Sequence, residues 1–163
     1  MEALQETSPL SREEVLRRYG TLTYKNVGTS MLPLIKQGRD VFTLKARDGR
    51  RCEKYDVVLF RRGGRWIMHR VIKVRPDDYV IRGDNCYTEE TGVHDEDIAA
   101  VMTEFVRKGK THRVTEWPYR LYARVWTALF PLRKAARDLW HLMKKRTEPR
   151  RKGRKTETAQ RSG

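Results

Sequence analysis

One serine lies in the run Gly28-Thr29-Ser30-Met31-Leu32-Pro33, between a glycine that permits a turn and a proline that stiffens the chain beyond it. That setting can expose the hydroxyl and aim the serine's own backbone N–H at a bound carbonyl. Those are the two demands on a nucleophile with an oxyanion donor. Taken alone, the hexapeptide reads first as a serine in a turn. A histidine stands in Met68-His69-Arg70-Val71-Ile72. Histidine, with an ordinary pKa of about 6.5, accepts a proton near neutrality without the burial that a lysine base requires. Taken alone, a histidine on a strand is usually structural.

The elements that must position these residues read as follows. Residues 8–20 predict a short helix: Ser11 caps it, Glu14 is the reciprocal partner, Leu10 and Val15 staple it, and Gly20 ends it. From Thr21 to about Val114 the chain turns to short runs rich in Val, Ile, Phe, Tyr and Thr. Strands are expected at 21–27, 40–46, 55–61, 65–74, 78–82 and 98–107, with turn signals at Arg47-Asp48-Gly49, Arg62-Gly63-Gly64 and Arg75-Pro76-Asp77-Asp78. With no helix-length segment between them, they predict a mainly β, antiparallel domain over 21–114. Over 115–145 the apolar residues Leu121, Val125, Leu129, Leu132, Ala136, Leu139 and Met143 follow helical spacing. Trp117, Trp126 and Trp140 fall on or near that face, Arg and Lys lie opposite, and Pro131 kinks or divides the segment. Residues 146–163 have almost nothing apolar and read as a disordered basic tail.

Lysine and arginine outnumber acids 36 to 21 in the 163 residues, a formal charge of +15 that favours an anionic partner. The last twenty residues hold nine basic and two acidic side chains, so much of that excess belongs to the tail. Cys52 and Cys86 are too few for a disulfide framework and lack zinc-site spacing; they read as plain thiols of a reducing compartment. The longest uncharged stretch, Asn26 to Ile35, is too short to span a bilayer, and residues 1–20 lack the apolar centre of an export signal. A cytoplasmic protein, peripheral on a membrane at most, is expected.

Further segments follow Ser30 in order: Lys36-Gln37-Gly38-Arg39-Asp40-Val41, Tyr55-Asp56-Val57-Val58-Leu59-Phe60, Met68-His69-Arg70-Val71-Ile72 and Ile81-Arg82-Gly83-Asp84-Asn85. Together, over about residues 24–106, they resemble signal peptidase I. That family shows Gly-x-Ser-Met-x-Pro, Gly-Asp-x-Val, Gly-Asp-Val-Val-x-Phe, a Lys or His before Arg-Val, and Gly-Asp-Asn. The histidine at position 69 is similar to archaeal, endoplasmic-reticulum and some Gram-positive members. The resemblance implies a β domain shared with SOS-type repressors, Ser30 as nucleophile, His69 as base and Asp84 as the acid that orients it. Histidine-type members carry a second aspartate where this chain has Glu90. Many members place a Ser or Thr two residues before the nucleophile to bind the oxyanion. Gly28 stands there instead, leaving the Ser30 N–H and Thr29 as candidate donors. Gly38-Arg39-Asp40 inserts one residue into Gly-Asp, and Tyr55-Asp56 replaces the second Gly-Asp; both read as structural turns. His94, His112 and His141 lie outside every segment and read as bystanders.

The resemblance further implies a serine endopeptidase that cleaves a leader or signal-like peptide after small residues, with Met31 and Val27 as walls of the substrate site. It implies no metal and no cofactor. The usual N-terminal anchor is not seen, and the cationic segment at 116–145 suits either an anionic membrane surface or packing on the β domain. Two other classes compete. A self-cleaving SOS-type regulator would need a lysine base and an Ala-Gly or Cys-Gly bond, and the sequence holds neither dipeptide. A non-catalytic basic protein on nucleic acid lacks interleaved aromatic and basic motifs in the β region, so nucleic acid is not the expected partner.

Overall fold

The computed structural model describes residues 11–25 and 27–147. Helix α1 (Arg12–Tyr19) forms as its local chemistry dictates. Ser11 Oγ accepts from the Glu14 N–H at 3.2 Å, and the Ser11 N–H donates to Glu14 Oε2 at 2.7 Å. Gly20, at φ +68°, turns the chain out of the helix, and buried Leu16 pins it to the body. Leu10, the other half of the expected staple, lies outside the described residues, as do residues 148–163 of the basic tail.

Eight antiparallel strands follow: β1 (Thr21–Lys25), β2 (Val41–Ala46), β3 (Val57–Arg62), β4 (Arg65–Val74), β5 (Tyr79–Arg82), β6 (Glu90–Val93), β7 (Ile98–Arg107) and β8 (Lys110–Arg113). They form one open sheet in the order β1-β2-β7-β3-β4-β5-β6, with β8 paired to β7. The fold is therefore mainly β, as expected. Strands β6 and β8 fall outside the strands expected from sequence, because Glu-Thr-Gly-Val and Lys-Thr-His-Arg carry no apolar alternation.

Strand β3 explains how the sheet buries both faces. Val57 and Leu59 enter a cluster with Met31, Leu34, Ile35, Phe42 and Met102. Val58 and Phe60, one residue out of phase, join Val71, Tyr79, Ile81 and Ile98 on the other side. Its central position requires a continuous apolar run, and Val57-Val58-Leu59-Phe60 supplies it.

Helices α2 (Trp117–Ala128) and α3 (Phe130–Thr147) follow. The division of the segment near Pro131 is as read. The chain splits into two compact units between Leu129 and Phe130, so α2 belongs with the β body and α3 does not. Leu121, Val125 and Leu129 are exposed, while Tyr119 and Ala123 are the buried side of α2. No helix among the described residues is long and apolar enough to cross a membrane.

Asp40 is fully buried and closes the turn after Ser30. Its Oδ2 accepts the Lys36 N–H at 2.8 Å, its own N–H donates to the Lys36 carbonyl at 3.1 Å, and Arg39 grips both carboxylate oxygens at 2.6 and 2.8 Å. The Arg39 contact, ahead of opposing burial, holds the carboxyl below its ordinary pKa. Asp40→Ala strands these donors, and we expect it to destabilise the fold by about 1–3 kcal/mol, read as a lower urea midpoint at unchanged slope.

Candidate active site

The turn at residues 28–39 is moored from below by Met31, Leu34 and Ile35, all buried in the core. Gly28, at φ +103°, adopts a backbone that side-chain-bearing residues rarely take. Ser30 itself stays half-buried at the top of the turn. Its carbonyl accepts the Asn85 N–H at 2.7 Å, and Asn85 Nδ2 donates to the Thr29 carbonyl at 3.2 Å. Both donors of Asn85 thus clasp the serine turn. Among the described residues no acceptor takes the Ser30 N–H, so this donor is available to a ligand.

His69 lies on β4 opposite Val58 of β3, and its ring is buried beside Phe60, with centroids 6.1 Å apart. Gly83 brings it to the serine turn. A Cβ at Gly83 would stand 2.8 Å from the Ser30 carbonyl oxygen, 2.9 Å from His69 Nε2 and 2.7 Å from Cys86 Sγ. Serine turn, imidazole and thiol converge where the chain has no side chain. Space alone requires glycine here.

The other imidazole nitrogen meets an acid, and it is Glu90 rather than Asp84. Glu90 Oε1 lies 2.9 Å from Nδ1, off the line of a well-formed hydrogen bond, so the contact is chiefly electrostatic. Glu90 Oε2 is held by Arg62 Nη1 at 3.1 Å, which fixes the carboxylate on the β5–β6 side of the ring. Burial is the largest influence on His69 and lowers its pKa below the ordinary value; Glu90, then Asp84, oppose it electrostatically without overturning it. The imidazole is therefore neutral at neutral pH. The tautomer with its proton on Nδ1, against Glu90, is the one that leaves the Nε2 lone pair toward the serine turn.

Asp84 has a different task. Its carboxylate forms a two-point pair with the buried Arg70 guanidinium, Nε to Oδ1 at 2.8 Å and Nη2 to Oδ2 at 2.7 Å. Burial works against the Arg70 charge, but Asp84 and then Tyr119 outweigh it and raise its pKa. Helix α2 seals the pair: Arg70 Nη1 donates to Tyr119 Oη at 3.0 Å, Tyr122 Oη donates to Asp84 Oδ2 at 3.1 Å, and Trp126 Nε1 donates to the Asp84 carbonyl at 2.9 Å. Asp84 acts on the site by fixing the loop that carries Gly83 and Asn85. Arg70 Nη1 also donates to the carbonyl of Tyr55 at 3.0 Å, a residue that stands at φ +83°.

Cys86, read from sequence as a plain thiol, is 3.9 Å from His69 Nε2. Burial raises its pKa, so it stays a thiol and not the thiolate of an activated cysteine. Val27 lines a cavity of about 280 Å³ beside Ser30, together with Leu22, Phe42, Leu59 and Trp66. Met31 does not line it; it is packed in the core below. A larger cavity, about 410 Å³, lies between α2 and the Glu53–Val57 segment, and neither Ser30 nor His69 lines it. Thr29 is exposed beside the nucleophile candidate. Among the described residues no group of three or more His, Cys, Asp or Glu side chains is arranged to hold a metal ion. His94 and His112 lie apart from this site, His94 on the Asp77 carbonyl and His112 stacked on Phe105, while His141 is on α3.

The chain matches no known family model, no curated protein and no solved structure. The arrangement itself consists of a hydroxyl-bearing turn with a spare backbone donor, a neutral imidazole, and a carboxylate on the imidazole's far nitrogen. Those are the parts required for proton-assisted attack by a serine. Gly83→Ala puts a methyl group into the Ser30 carbonyl and the imidazole. We expect it to cost about 1–3 kcal/mol in stability and to perturb the His69 ring signals in an NMR pH titration; an unshifted His69 would contradict the close approach.

Proposed function

We propose that the protein is a serine endopeptidase of the signal peptidase I type, cleaving a leader or signal-like peptide after small residues. The observation that carries the reading is the meeting of the Ser30 turn and His69 Nε2 at Gly83, with Glu90 on Nδ1. An extended peptide adds to the outer edge of β1, the terminal strand of the sheet among the described residues, and reaches Ser30 along the cavity lined by Leu22 and Val27. The Ser30 hydroxyl proton passes to His69 Nε2 as Oγ attacks the scissile carbonyl. The imidazolium is stabilised by Glu90, and the Ser30 N–H donates to the oxyanion. His69 then returns the proton to the leaving amine as the C–N bond breaks, and water hydrolyses the acyl-serine by the same route in reverse. Gly28 supplies no hydroxyl to the oxyanion, so this site works with fewer side-chain donors than the family pattern provides.

In a peptide-library assay, Ser30→Ala and His69→Ala should each lower kcat/KM by about a thousandfold or more, while Cys86→Ala retains activity. Activity surviving in Ser30→Ala and lost in Cys86→Ala would move the nucleophile to the thiol. Only neutral His69 accepts the proton, and its pKa is lowered, so the acid limb of kcat/KM should fall below pH 6.5. Glu90 raises that pKa. Glu90→Gln should therefore shift the limb to still lower pH while reducing kcat about 10- to 100-fold. An unmoved limb would remove Glu90 from the reaction.

A peripheral site of action on an anionic membrane surface accords with the exposed Leu132, Leu139, Trp140, Leu142 and Met143 of α3, interspersed with Arg133, Lys134, Arg137 and Lys144. The protein should sediment with vesicles containing phosphatidylglycerol but not with phosphatidylcholine alone, weakening as salt rises. Leu139→Glu with Trp140→Glu should abolish the association.

A further inference from the structure

The cavity beside Ser30 is walled almost wholly by apolar side chains, among them Leu22, Phe42, Leu44, Leu59 and Met68. One cation breaks that pattern. Arg12, from α1, lines the same cavity, its guanidinium 4.4 Å above the Tyr24 ring centroid and its Nη2 donating to Tyr24 Oη at 2.6 Å. Stacking and hydrogen bonding fix the orientation of the planar group, while its remaining N–H donors are left over. Among the described residues Arg12 pairs with no carboxylate: neighbouring Glu14 is on Ser11, and Glu13 lies 3.6 Å from Arg61. None of the residues lining the cavity is acidic. An apolar groove with one pre-oriented, unneutralised guanidinium is complementary to a peptide whose apolar side chains fill the groove and whose carboxylate meets the cation.

We propose that Arg12 is a specificity-determining residue, selecting substrates with an Asp or Glu side chain within the segment seated in this cavity. The proposal rests on the peptidase reading for its substrate, but not for its geometry. The +15 net charge of the chain draws acidic peptides in general; Arg12 makes the preference positional.

The test scans Glu against Gln at each position flanking the cleaved bond of a library-derived peptide. One position should show a preference for Glu of about 10- to 100-fold in kcat/KM, the scale of a charge-assisted hydrogen bond, carried in KM more than in kcat. Arg12→Ala should abolish that preference, so that the Glu and Gln peptides are cleaved alike, and Arg12→Glu should turn it toward Lys. Circular dichroism melts establish that both variants are folded. Cleavage that depends on Ser30 and His69 but shows no Arg12-dependent preference overturns this inference and leaves the peptidase standing. Binding of the fluorescein-labelled Glu peptide to Ser30→Ala protein, read by anisotropy, separates the other case. Binding that is tighter for Glu than for Gln and lost in Arg12→Ala upholds the subsite even where no cleavage occurs. No difference between the peptides in either assay overturns it.

Discussion

The buried pair between Arg70 and Asp84 is the constraint on which the site depends. Removing two charges from water is costly, and the cost is offset only when geometry and further hydrogen bonds are close to ideal. Here the guanidinium meets the carboxylate at two points, and Tyr119, Tyr122, the Tyr55 carbonyl and Trp126 complete the shell. Removing one partner would strand the other in the interior, at about 3–5 kcal/mol. What the pair provides is position. Gly83 and Asn85 flank Asp84; one admits the imidazole and the serine turn to close range, and the other holds the turn by two hydrogen bonds. Helix α2 is thereby part of the site although none of its residues approaches the serine turn in the contacts described above.

Electrostatics divide the two acids near His69 between structure and chemistry. Asp84 is committed to a permanent cation and acts on the imidazole only at a distance. Glu90 is shared between Arg62 and Nδ1, on a short strand with partial exposure, and can respond to the charge that the proposed proton transfer would place on the ring. Burial and Glu90 act in opposite directions on the imidazole. Burial keeps it neutral and ready to accept; the carboxylate keeps the charged form from being prohibitive once made.

The sheet and the Ser30 turn were legible because they rest on local signals: apolar runs of strand length, turn dipeptides and a glycine-to-proline frame. The capping box of α1 was legible for the same reason. What escaped was set by long-range pairing. Asp84 and Glu90 are six residues apart, and nothing in that interval says which carboxylate faces the ring. The pairing of Ile81 with Glu90 across β5 and β6 decides it. On α2 the apolar spacing is real, yet the aromatic side with hydroxyl and indole donors faces the body because Arg70 and Asp84 need partners there. Periodicity registers apolar positions, while the docking face was chosen by polar satisfaction. The proximity of Cys86 to His69 follows from the same loop and had no sequence signal.

The most direct test is to acylate the protein with a peptidyl p-nitrophenyl ester ending in alanine, quench in acid and map the adduct by mass spectrometry. A nitrophenolate burst approaching one equivalent, with the acyl group on Ser30 and both lost in His69→Ala, is the predicted result. No acyl adduct, one on Cys86, or one on Ser30 that persists without His69 would contradict the assignment of Ser30 and His69 as nucleophile and base.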